Sequence, residues 1–279
     1  MGHLRHGAVG VNSPSGLRQL IGEDPDLFAH TGKHQGNREL AAAGTFHQFT
    51  HSHPIDDGGF QRTEGGILRP ALYNPQNTEH LAGGEWTPLF DGQSFTGWTF
   101  DTLDKAAPET IWEVKDGTIV VNGKGRPAGV MRSDRSYSNY TLEFDWRWVD
   151  TKGNSGCLIH CSKPRLMNVW PKAIEVQLMA EQAGDFWLIG ETIEVNPEQV
   201  VQGKDGKPSR RRYNLTDDSE KKALGEWNRM QVITKGSTVE VFVNGTLVNK
   251  GWDASVSEGA ICFQAEKANL QLRNIRIKE

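Results

Sequence analysis

The sequence predicts an all-β fold for residues 85–279, a sandwich of two antiparallel sheets. Apolar and polar residues alternate over many short runs, and Gly, Asn and Asp separate these runs, as is typical of sandwiches and barrels. The dipeptide Asn244-Gly245 stands between two such runs, and Asn-Gly is the strongest short hairpin signal. No amphipathic helix of ordinary length competes with this interpretation.

The clearest predicted strand covers residues 140–149. Leu142, Phe144, Trp146 and Trp148 share one face of it, so we expect them to be buried between the two sheets. The other predicted strands lie at residues 112–114, 118–121, 128–133, 156–161, 173–179, 228–234, 239–243, 260–265 and 270–277.

Two segments depart from the simple pattern of alternating strands. Residues 184–224 contain two prolines and three consecutive arginines, Arg210 to Arg212, and are predicted to form one long loop or a pair of loops over one face. The arginines are interpreted as a solvated face of that loop, with an anion site as the alternative. In the strand at 156–161, alternation places Cys157 and Cys161 on one face and His160 on the other.

The first part of the chain differs in composition from the rest. All nine Trp lie between Trp86 and Trp252, whereas eight of the nine His lie between His3 and His80. We therefore predict a largely unstructured N-terminal extension, residues 1–84, before the domain at 85–279; an annotated start that lies too early would also explain this composition. Its clustered histidines, His47, His51 and His53, are interpreted as part of a polar tail, and a weak helix is expected at residues 38–43.

Charge and hydropathy exclude several classes of partner. The net charge is −4 and there is no basic stripe, so nucleic acid is not expected as a partner. No apolar run is long enough to predict a membrane span, and no signal peptide is visible.

Polar side chains occupy the faces of three predicted strands that point away from the core. They are Glu143, Asp145 and Arg147 on one strand, His160 on the next, and Glu175 with Gln177 on a third. If these strands are neighbours in one sheet, the side chains form a patch suited to sugars, because carboxylates and amides bind hydroxyl groups. The alternatives are ordinary surface residues and, for His160, a structural role. Trp187 is either a stacking platform for a sugar or an anchor for its loop.

The familiar hydrolase motifs are absent from the sequence. There is no nucleophile elbow, phosphate loop or zinc-peptidase helix. The Glu-x-Gln spacing at Glu175 and Gln177 is not the paired-carboxylate pattern of sandwich-fold glucanases, so a two-carboxylate glycosidase mechanism is not supported.

A set of ordered motifs nevertheless resembles one known family, the 3-keto-disaccharide hydrolases. The first motif is Trp86-Thr87-Pro88-Leu89-Phe90-Asp91-Gly92, followed by Phe95, Gly97 and Trp98. The later ones are Trp112 with Asp116-Gly117, Gly153-Asn154-Ser155-Gly156, Glu175-Val176-Gln177, Glu226-Trp227-Asn228, Val243-Asn244-Gly245, Gly259 with Gln264, and Arg273-Asn274-Ile275. Their order and spacing cover essentially all of residues 85–279.

The resemblance implies a concanavalin A-like jelly roll with a concave face, and an exported bacterial protein, periplasmic or extracellular. It also implies cleavage of 3-keto-glycosides, or hydration of 3-keto-2-hydroxy-glucal. In this chemistry a base removes the C2 hydrogen, which the C3 ketone acidifies, and the enolate expels the C1 substituent. Glu175 or His160 could be the base, and Asp145 completes the expected catalytic set.

The remaining expected roles concern binding. The expected substrate-binding residues are Gln177, Arg147, Glu143, Asn154, Trp187 and Gln264. The family motifs themselves support Glu175, Gln177 and the Asn154 turn. Gln177 or Arg147 could stabilise the enolate. No cofactor is identified with certainty, although a divalent metal ion bound by the carboxylates could serve the same purpose.

The sequence departs from the family pattern at two places. It has His160 and Cys161 where many members have an Arg or an aromatic residue, and Met179-Ala180 replaces the acidic residue that usually follows the Glu175 motif. These departures leave a second function open, a lectin-like carbohydrate-binding module without turnover. The expected partner in both cases is a sugar or glycoside, and the sequence does not define the oligomeric state.

Overall fold

The structure is a computed structural model that describes residues 60–62, 68–70, 84–216 and 223–279. Strands β1 (Phe60–Arg62) and β2 (Leu68–Pro70) pair antiparallel within the region predicted as an extension. The weak helix expected at residues 38–43 and the histidine cluster at 47–53 lie outside the described residues. The boundary at residue 85 stays a prediction.

The first sheet has eight strands, and all neighbouring strands in it are antiparallel. In spatial order these strands are β12 (Val200–Gln202), β13 (Pro208–Arg212), β11 (Phe186–Ile189), β10 (Ala173–Gln177), β9 (Gly156–Cys161), β17 (Glu258–Ala265), β7 (Gly129–Ser138) and β4 (Trp98–Thr102).

The second sheet is also antiparallel. In spatial order its strands are β16 (Thr246–Gly251), β15 (Thr238–Val243), β14 (Asn228–Lys235), β8 (Thr141–Trp148), β18 (Asn269–Lys278), β6 (Thr118–Asn122) and β5 (Trp112–Lys115), with the short β3 (Thr87–Pro88) pairing with β18. Single 3₁₀ turns lie at Leu103–Lys105, Pro108–Thr110 and Pro197–Gln199.

The core lies between the two sheets and confirms the predicted alternation. The four predicted inward residues of β8, from Leu142 to Trp148, are at most 1% exposed and belong to it. The first sheet contributes Ile174 and Val176 of β10, as well as Phe263 of β17, whose ring packs edge-on to Phe144 with centroids 4.9 Å apart. Burial of these large apolar side chains is the main force that holds the two sheets together.

Tight turns between strands form where the sequence places Gly after Asn or Asp, as predicted for Asn244-Gly245. Asn244 and Gly245 have φ angles of 50° and 82°, and Asp116 and Gly117 have 50° and 70°. Two consecutive positive φ angles define the tight turn that matches the twist of antiparallel strands, which explains the residue types found there.

The prediction of a long loop at residues 184–224 is wrong. The segment contributes β11, β12 and β13, which extend the first sheet on one side of β10. The sequence of β13, Pro-Ser-Arg-Arg-Arg, shows no apolar alternation, and β12 is only three residues long, so neither strand gave a periodic signal. Arg211 therefore lies in a strand rather than on a solvated loop: its Nε donates to Asp185 at 2.6 Å.

A local irregularity in β9 overturns a second prediction. His160 has a φ of +54°, and the pairing of β9 with β17 shifts register between Ala260 and Cys262. The chain rotates there, so Cys161 packs with Leu158 on the outer face of the sheet, whereas Cys157 points into the core. All three cysteines are buried and free.

Candidate functional site

Glu175 lies in the middle of the first sheet and points away from the core. Its neighbours along β10, Ile174 and Val176, belong to the core, so Glu175 lies on the outer face. Opposite it are Leu158 on β9 and Trp187 on β11, which share that face. The Glu175 side chain is only 4% exposed. A carboxyl group buried this deeply on an outer face indicates a chemical site.

The outer face of the first sheet is largely apolar around this carboxyl group. A cluster of buried residues lies there, formed by Val130, Leu158, Cys161, Val169, Trp170, Ala173, Ile189, Ala260 and Cys262. Val169 and Trp170 come from the segment between β9 and β10, which therefore packs over the sheet. The Glu175 carboxyl group is itself buried on this face, and burial removes water from it and lowers the local dielectric constant.

The absence of a side chain at Gly156 makes room for the Glu175 carboxyl group. The position that a Cβ atom on residue 156 would occupy lies 2.8 Å from Cδ of Glu175 and 2.9 Å from Oε1 of Gln264. Gln264, on β17, is 2% exposed, and its Oε1 is buried without a hydrogen-bond partner. The two side chains thus converge over the backbone of β9, and one acceptor atom is left for a ligand.

A second carboxyl group lies close to the first. Glu266 directly follows β17 and is half-buried, and its backbone bridges to Asn154 in the loop before β9. The Asn154 side chain donates a hydrogen bond to Glu266, and its own Oδ1 is buried without a partner. The pair Glu175 and Glu266, with the amides of Gln264 and Asn154, is called the acidic pair site below.

The two carboxyl groups, Glu175 and Glu266, differ in the interactions that shift their pKa values. Burial raises the pKa of Glu175 well above its usual range, the charge of Glu266 raises it further, and a hydrogen bond from Gln264 opposes the rise. Burial also raises the pKa of Glu266, while Lys267 and the Asn154 hydrogen bond act against it. Two neighbouring carboxyl groups in such different surroundings are suited to acid and base roles.

The other predicted residues on the first sheet have different surroundings. Gln177 is buried, but its Oε1 accepts the backbone N–H groups of Leu178 and Met179, each at 2.9 Å. Its amide therefore fixes the chain after β10. Trp187 is half-buried beside Glu175, and the guanidinium carbon of Arg210 lies 5.3 Å from its ring centroid. Trp187 thus lies at the edge of the site with its ring held by β13.

His160 does not join the acidic pair site. Its ring packs edge-on against Tyr140, a core residue, at 5.7 Å between centroids, and the side chain is fully buried. The positive φ turns the side chain to the core side of the sheet, away from Glu175. Burial lowers the pKa of His160 to about 4, which fits a neutral imidazole in the core.

The expectation that Glu143, Asp145 and Arg147 share a patch with Glu175 is wrong. They lie on β8, in the second sheet, whereas Glu175 is in the first sheet. Alternation gave their faces correctly, but it cannot reveal which strands are neighbours. Asp145 instead accepts hydrogen bonds from Arg229 Nε at 2.8 Å, Asn274 Nδ2 at 2.7 Å and Arg273 Nε at 3.3 Å, and Glu143 accepts from Arg276. These contacts belong to a structural ion-pair network.

The described residues contain no group of three or more His, Cys, Asp and Glu side chains that could hold a metal ion. The oxygen atoms of the acidic pair site are the donors that a hard divalent cation would use there. Among the same residues, no helix is long and apolar enough to cross a membrane.

Glu266 is the residue that sequence reasoning missed. Gln264 was predicted to bind substrate, and alternation by two from Gln264 reaches Glu266 on the same side of the chain. The bridge between Glu266 and Asn154 joins residues that are far apart in the sequence, so no local sequence pattern predicts it.

The two antiparallel sheets with this strand order define a jelly-roll β-sandwich, as predicted. The chain belongs to the family of 3-keto-α-glucoside-1,2-lyase-like domains, whose model matches residues 85–278. The family resemblance of the sequence motifs is therefore confirmed, and family membership supports a carbohydrate-active function.

Solved structures with a similar fold include two proteins of Parabacteroides distasonis, both described provisionally as glycosyl hydrolases. One has a TM-score of 0.50 at 22% identity, covering 69% of this chain and 93% of its own. The other has a TM-score of 0.49 at 20% identity, covering 69% and 98%. A Bacillus licheniformis β-glucanase has a TM-score of 0.44 at 11% identity, covering 71% and 98%. None of the curated proteins matches the chain.

Proposed function

We propose that the chain cleaves 3-keto-glycosides at the acidic pair site, by removal of the C2 proton. The observation that carries this proposal is the position of Glu175, whose carboxyl group is buried over Gly156 beside Gln264 and interacts with the charge of Glu266. The raised pKa values supply an acid and a base in one place. Membership of the lyase-like family supports the choice of substrate class.

The reaction divides naturally between the two carboxyl groups. Glu266, half-buried and held by Asn154, is the base that removes the C2 proton, which the neighbouring C3 ketone acidifies. The C–H electron pair forms the enolate, and its collapse expels the C1 substituent. Glu175, which keeps its proton to higher pH, protonates the leaving oxygen. Water then adds to C1 of the 3-keto-2-hydroxy-glucal, and C2 takes back a proton.

The amides around the carboxyl groups position the sugar. Oε1 of Gln264 and Oδ1 of Asn154 are buried acceptors without partners, so each is available to a sugar hydroxyl group. A substrate that donates a hydrogen bond to each of these two oxygen atoms gives them the partners that they otherwise lack. Trp187, at the edge of the site, offers an apolar surface to a sugar ring.

Release of the aglycone from 3-keto-glucosides with two different leaving groups tests the roles. For a methyl 3-keto-glucoside, whose leaving oxygen needs a proton, Glu175→Gln and Glu266→Gln should each reduce the rate at least about 100-fold. For a nitrophenyl 3-keto-glucoside, whose leaving group departs as an anion, Glu175→Gln should retain most of the rate and Glu266→Gln should not. Glu113→Gln, at an exposed position on β5, is the matched control.

Two outcomes oppose the proposal. Undiminished release from the methyl glycoside by Glu175→Gln would remove the acid role. Binding of the 3-keto-glucoside by the wild-type chain without any release would replace catalysis with the second candidate, a lectin-like binding module.

A further inference from the structure

A separate depression lies on the outer face of the second sheet. It has a volume of about 480 Å³, and the residues that line it include Lys115, Asp116, Arg147, Trp227, Gln271 and Arg273. Three of these side chains are cationic and one is acidic, although the chain as a whole carries a net charge of −4. A local excess of positive charge on an acidic protein marks a place that attracts anions.

The charges around Trp227 are unbalanced. The guanidinium carbons of Arg273 and Arg147 lie 4.0 and 4.6 Å from the centroid of its ring. Arg273 pairs with Asp145 at 3.3 Å, but it shares this carboxylate with Arg229, which lies closer to it at 2.8 Å. Arg147 donates only to neutral acceptors, Oε1 of Gln271 at 2.7 Å and the carbonyl of Gly225 at 3.4 Å, and no carboxylate among the described residues pairs with it. The two guanidinium groups over the Trp227 ring therefore have one carboxylate partner between them, and a third arginine shares that carboxylate.

The arrangement favours an anion over a neutral sugar ring. Because two guanidinium groups already lie over the Trp227 ring, that ring is a poor stacking platform, and its effect is to hold the arginines in place. Lys115 is exposed at the end of β5 and adds a third cation that can turn towards a ligand. Gln271 accepts from Arg147 through Oε1, so its amide nitrogen is left to donate to the same ligand.

From these contacts we infer that the depression binds the carboxylate or sulfate group of an acidic saccharide, at a site separate from the acidic pair site. A planar carboxylate or a sulfate ester takes charge-assisted hydrogen bonds from Arg147, Lys115 and Gln271. The volume exceeds what a single oxyanion fills, which leaves room for the sugar that bears it. The saccharide part of this inference rests on the carbohydrate-active class of the family, and not on the chemistry at Glu175.

Calorimetric titration with an oligogalacturonate tests the site, with the methyl-esterified form of the same oligosaccharide as a neutral comparison. Binding should appear only with the charged form and should weaken at high salt. Arg147→Gln should weaken it about tenfold, since it removes one charge-assisted contact, and Lys115→Gln should weaken it by a smaller factor. Lys124→Gln removes an equal charge from an exposed ion pair with Asp150 and should leave binding unchanged.

A parallel titration with a sulfated oligosaccharide shows whether the site prefers a sulfate or a carboxylate group. Stronger binding of either the sulfated oligosaccharide or the oligogalacturonate supports the proposed anion site. Equal binding of the methyl ester, or wild-type binding by both Arg147→Gln and Lys115→Gln, would overturn it. Binding of inorganic sulfate as tight as that of the oligosaccharides would overturn the saccharide part. Because Lys115 is exposed, its variant tests the site without disturbing the packing of Trp227. None of these titrations depends on turnover of a 3-keto sugar.

Discussion

The Glu175 carboxyl group lies over the backbone of Gly156, in the space that any larger residue at position 156 would fill. Gly156 is on β9 and Glu175 is on the neighbouring strand β10. The missing side chain on β9 leaves the space that the carboxyl group of β10 occupies. Gln264, on the strand at the other side of β9, approaches the same gap. The geometry of the acidic pair site therefore depends on a glycine that performs no chemistry itself.

Gly156→Ala should reduce the activity strongly while changing stability little. The added methyl group meets the ends of two side chains, Glu175 and Gln264, which can move aside at small cost. The carboxyl group then leaves its position, and a displacement of about 1 Å can cost roughly 100-fold in rate. Rates of aglycone release and thermal melting curves check this prediction. Gly203→Ala, in the exposed turn after β12, is the control, and full activity of Gly156→Ala would show that the position of Glu175 is unimportant.

Asp145→Asn should lower stability and leave the activity intact. The Asp145 side chain is buried and is bound by Arg229, Arg273 and Asn274, so loss of its charge weakens several hydrogen bonds at once. Since the two arginine side chains are 49% and 38% exposed, we expect a loss of about 2 kcal/mol in the free energy of unfolding, below the value for a fully buried pair.

Urea unfolding measures this change, with Asp150→Asn, which removes the same charge at an exposed ion pair, as the matched control. Aglycone release measured on the same samples separates the two roles. A large loss in the rate of aglycone release at unchanged stability would show that Asp145 has a catalytic role.

Acid should destabilise the fold partly through His160. Its pKa is lowered from 6.5 to about 4 by burial, so between these values the unfolded chain binds a proton that the folded chain does not. The stability that the neutral ring contributes is present above pH 6.5 and is lost as the pH falls towards 4. By linkage the loss is about 3 kcal/mol.

The comparison of wild type with His160→Asn isolates this effect. Asn tolerates the positive φ at this position but does not titrate in this range. Free energies of unfolding measured from pH 7 to pH 4 should decline less steeply for the variant. Parallel curves for the two proteins would mean that His160 binds its proton equally in the folded and unfolded chain.

Gly259→Ala should destabilise the fold by at least about 2 kcal/mol. The backbone of His160 passes so close to Gly259 that an added Cβ atom would lie 2.7 Å from Cα of His160. Backbone atoms cannot swing away as side-chain ends can, so the irregularity in β9 has to rearrange. Thermal melting checks the loss, and a melting temperature equal to that of wild type would show that β9 and β17 can separate locally without cost.

The periodicity of the sequence was sufficient to predict the sandwich, but not which strands are neighbours. The alternation at Phe144 and Trp146 defined one buried face, and Asn244-Gly245 defined one turn, because both are local features. In the first sheet β17 lies between β9 and β7. This arrangement joins strands that are far apart in the sequence, so no local sequence pattern predicts it. For that reason Asp145 and Glu175 looked like partners although they belong to different sheets.

Within the site, the outward position of Glu175 could be predicted from alternation and the contribution of Glu266 could not. Alternation fails where the backbone departs from a regular strand, and the positive φ of His160 reverses the faces of the residues that follow it. The burial of Glu175 was also hidden from the sequence: its side chain is 4% exposed on the outer face of the sheet, where alternation alone predicts an exposed residue.

The most direct test of the proposed chemistry is the fate of the hydrogen at C2. A 3-keto-glucoside is incubated with the protein in deuterated water, and the C2 position of the released sugar is measured by NMR, with a protein-free sample to correct for spontaneous exchange. The acidic pair mechanism predicts deuterium at C2 of the released sugar, and loss of both release and incorporation in Glu266→Gln. Release of a sugar that keeps its original C2 hydrogen, together with an unchanged rate when C2 of the substrate carries deuterium, would contradict it, because the glycosidic bond would then have broken without removal of that hydrogen.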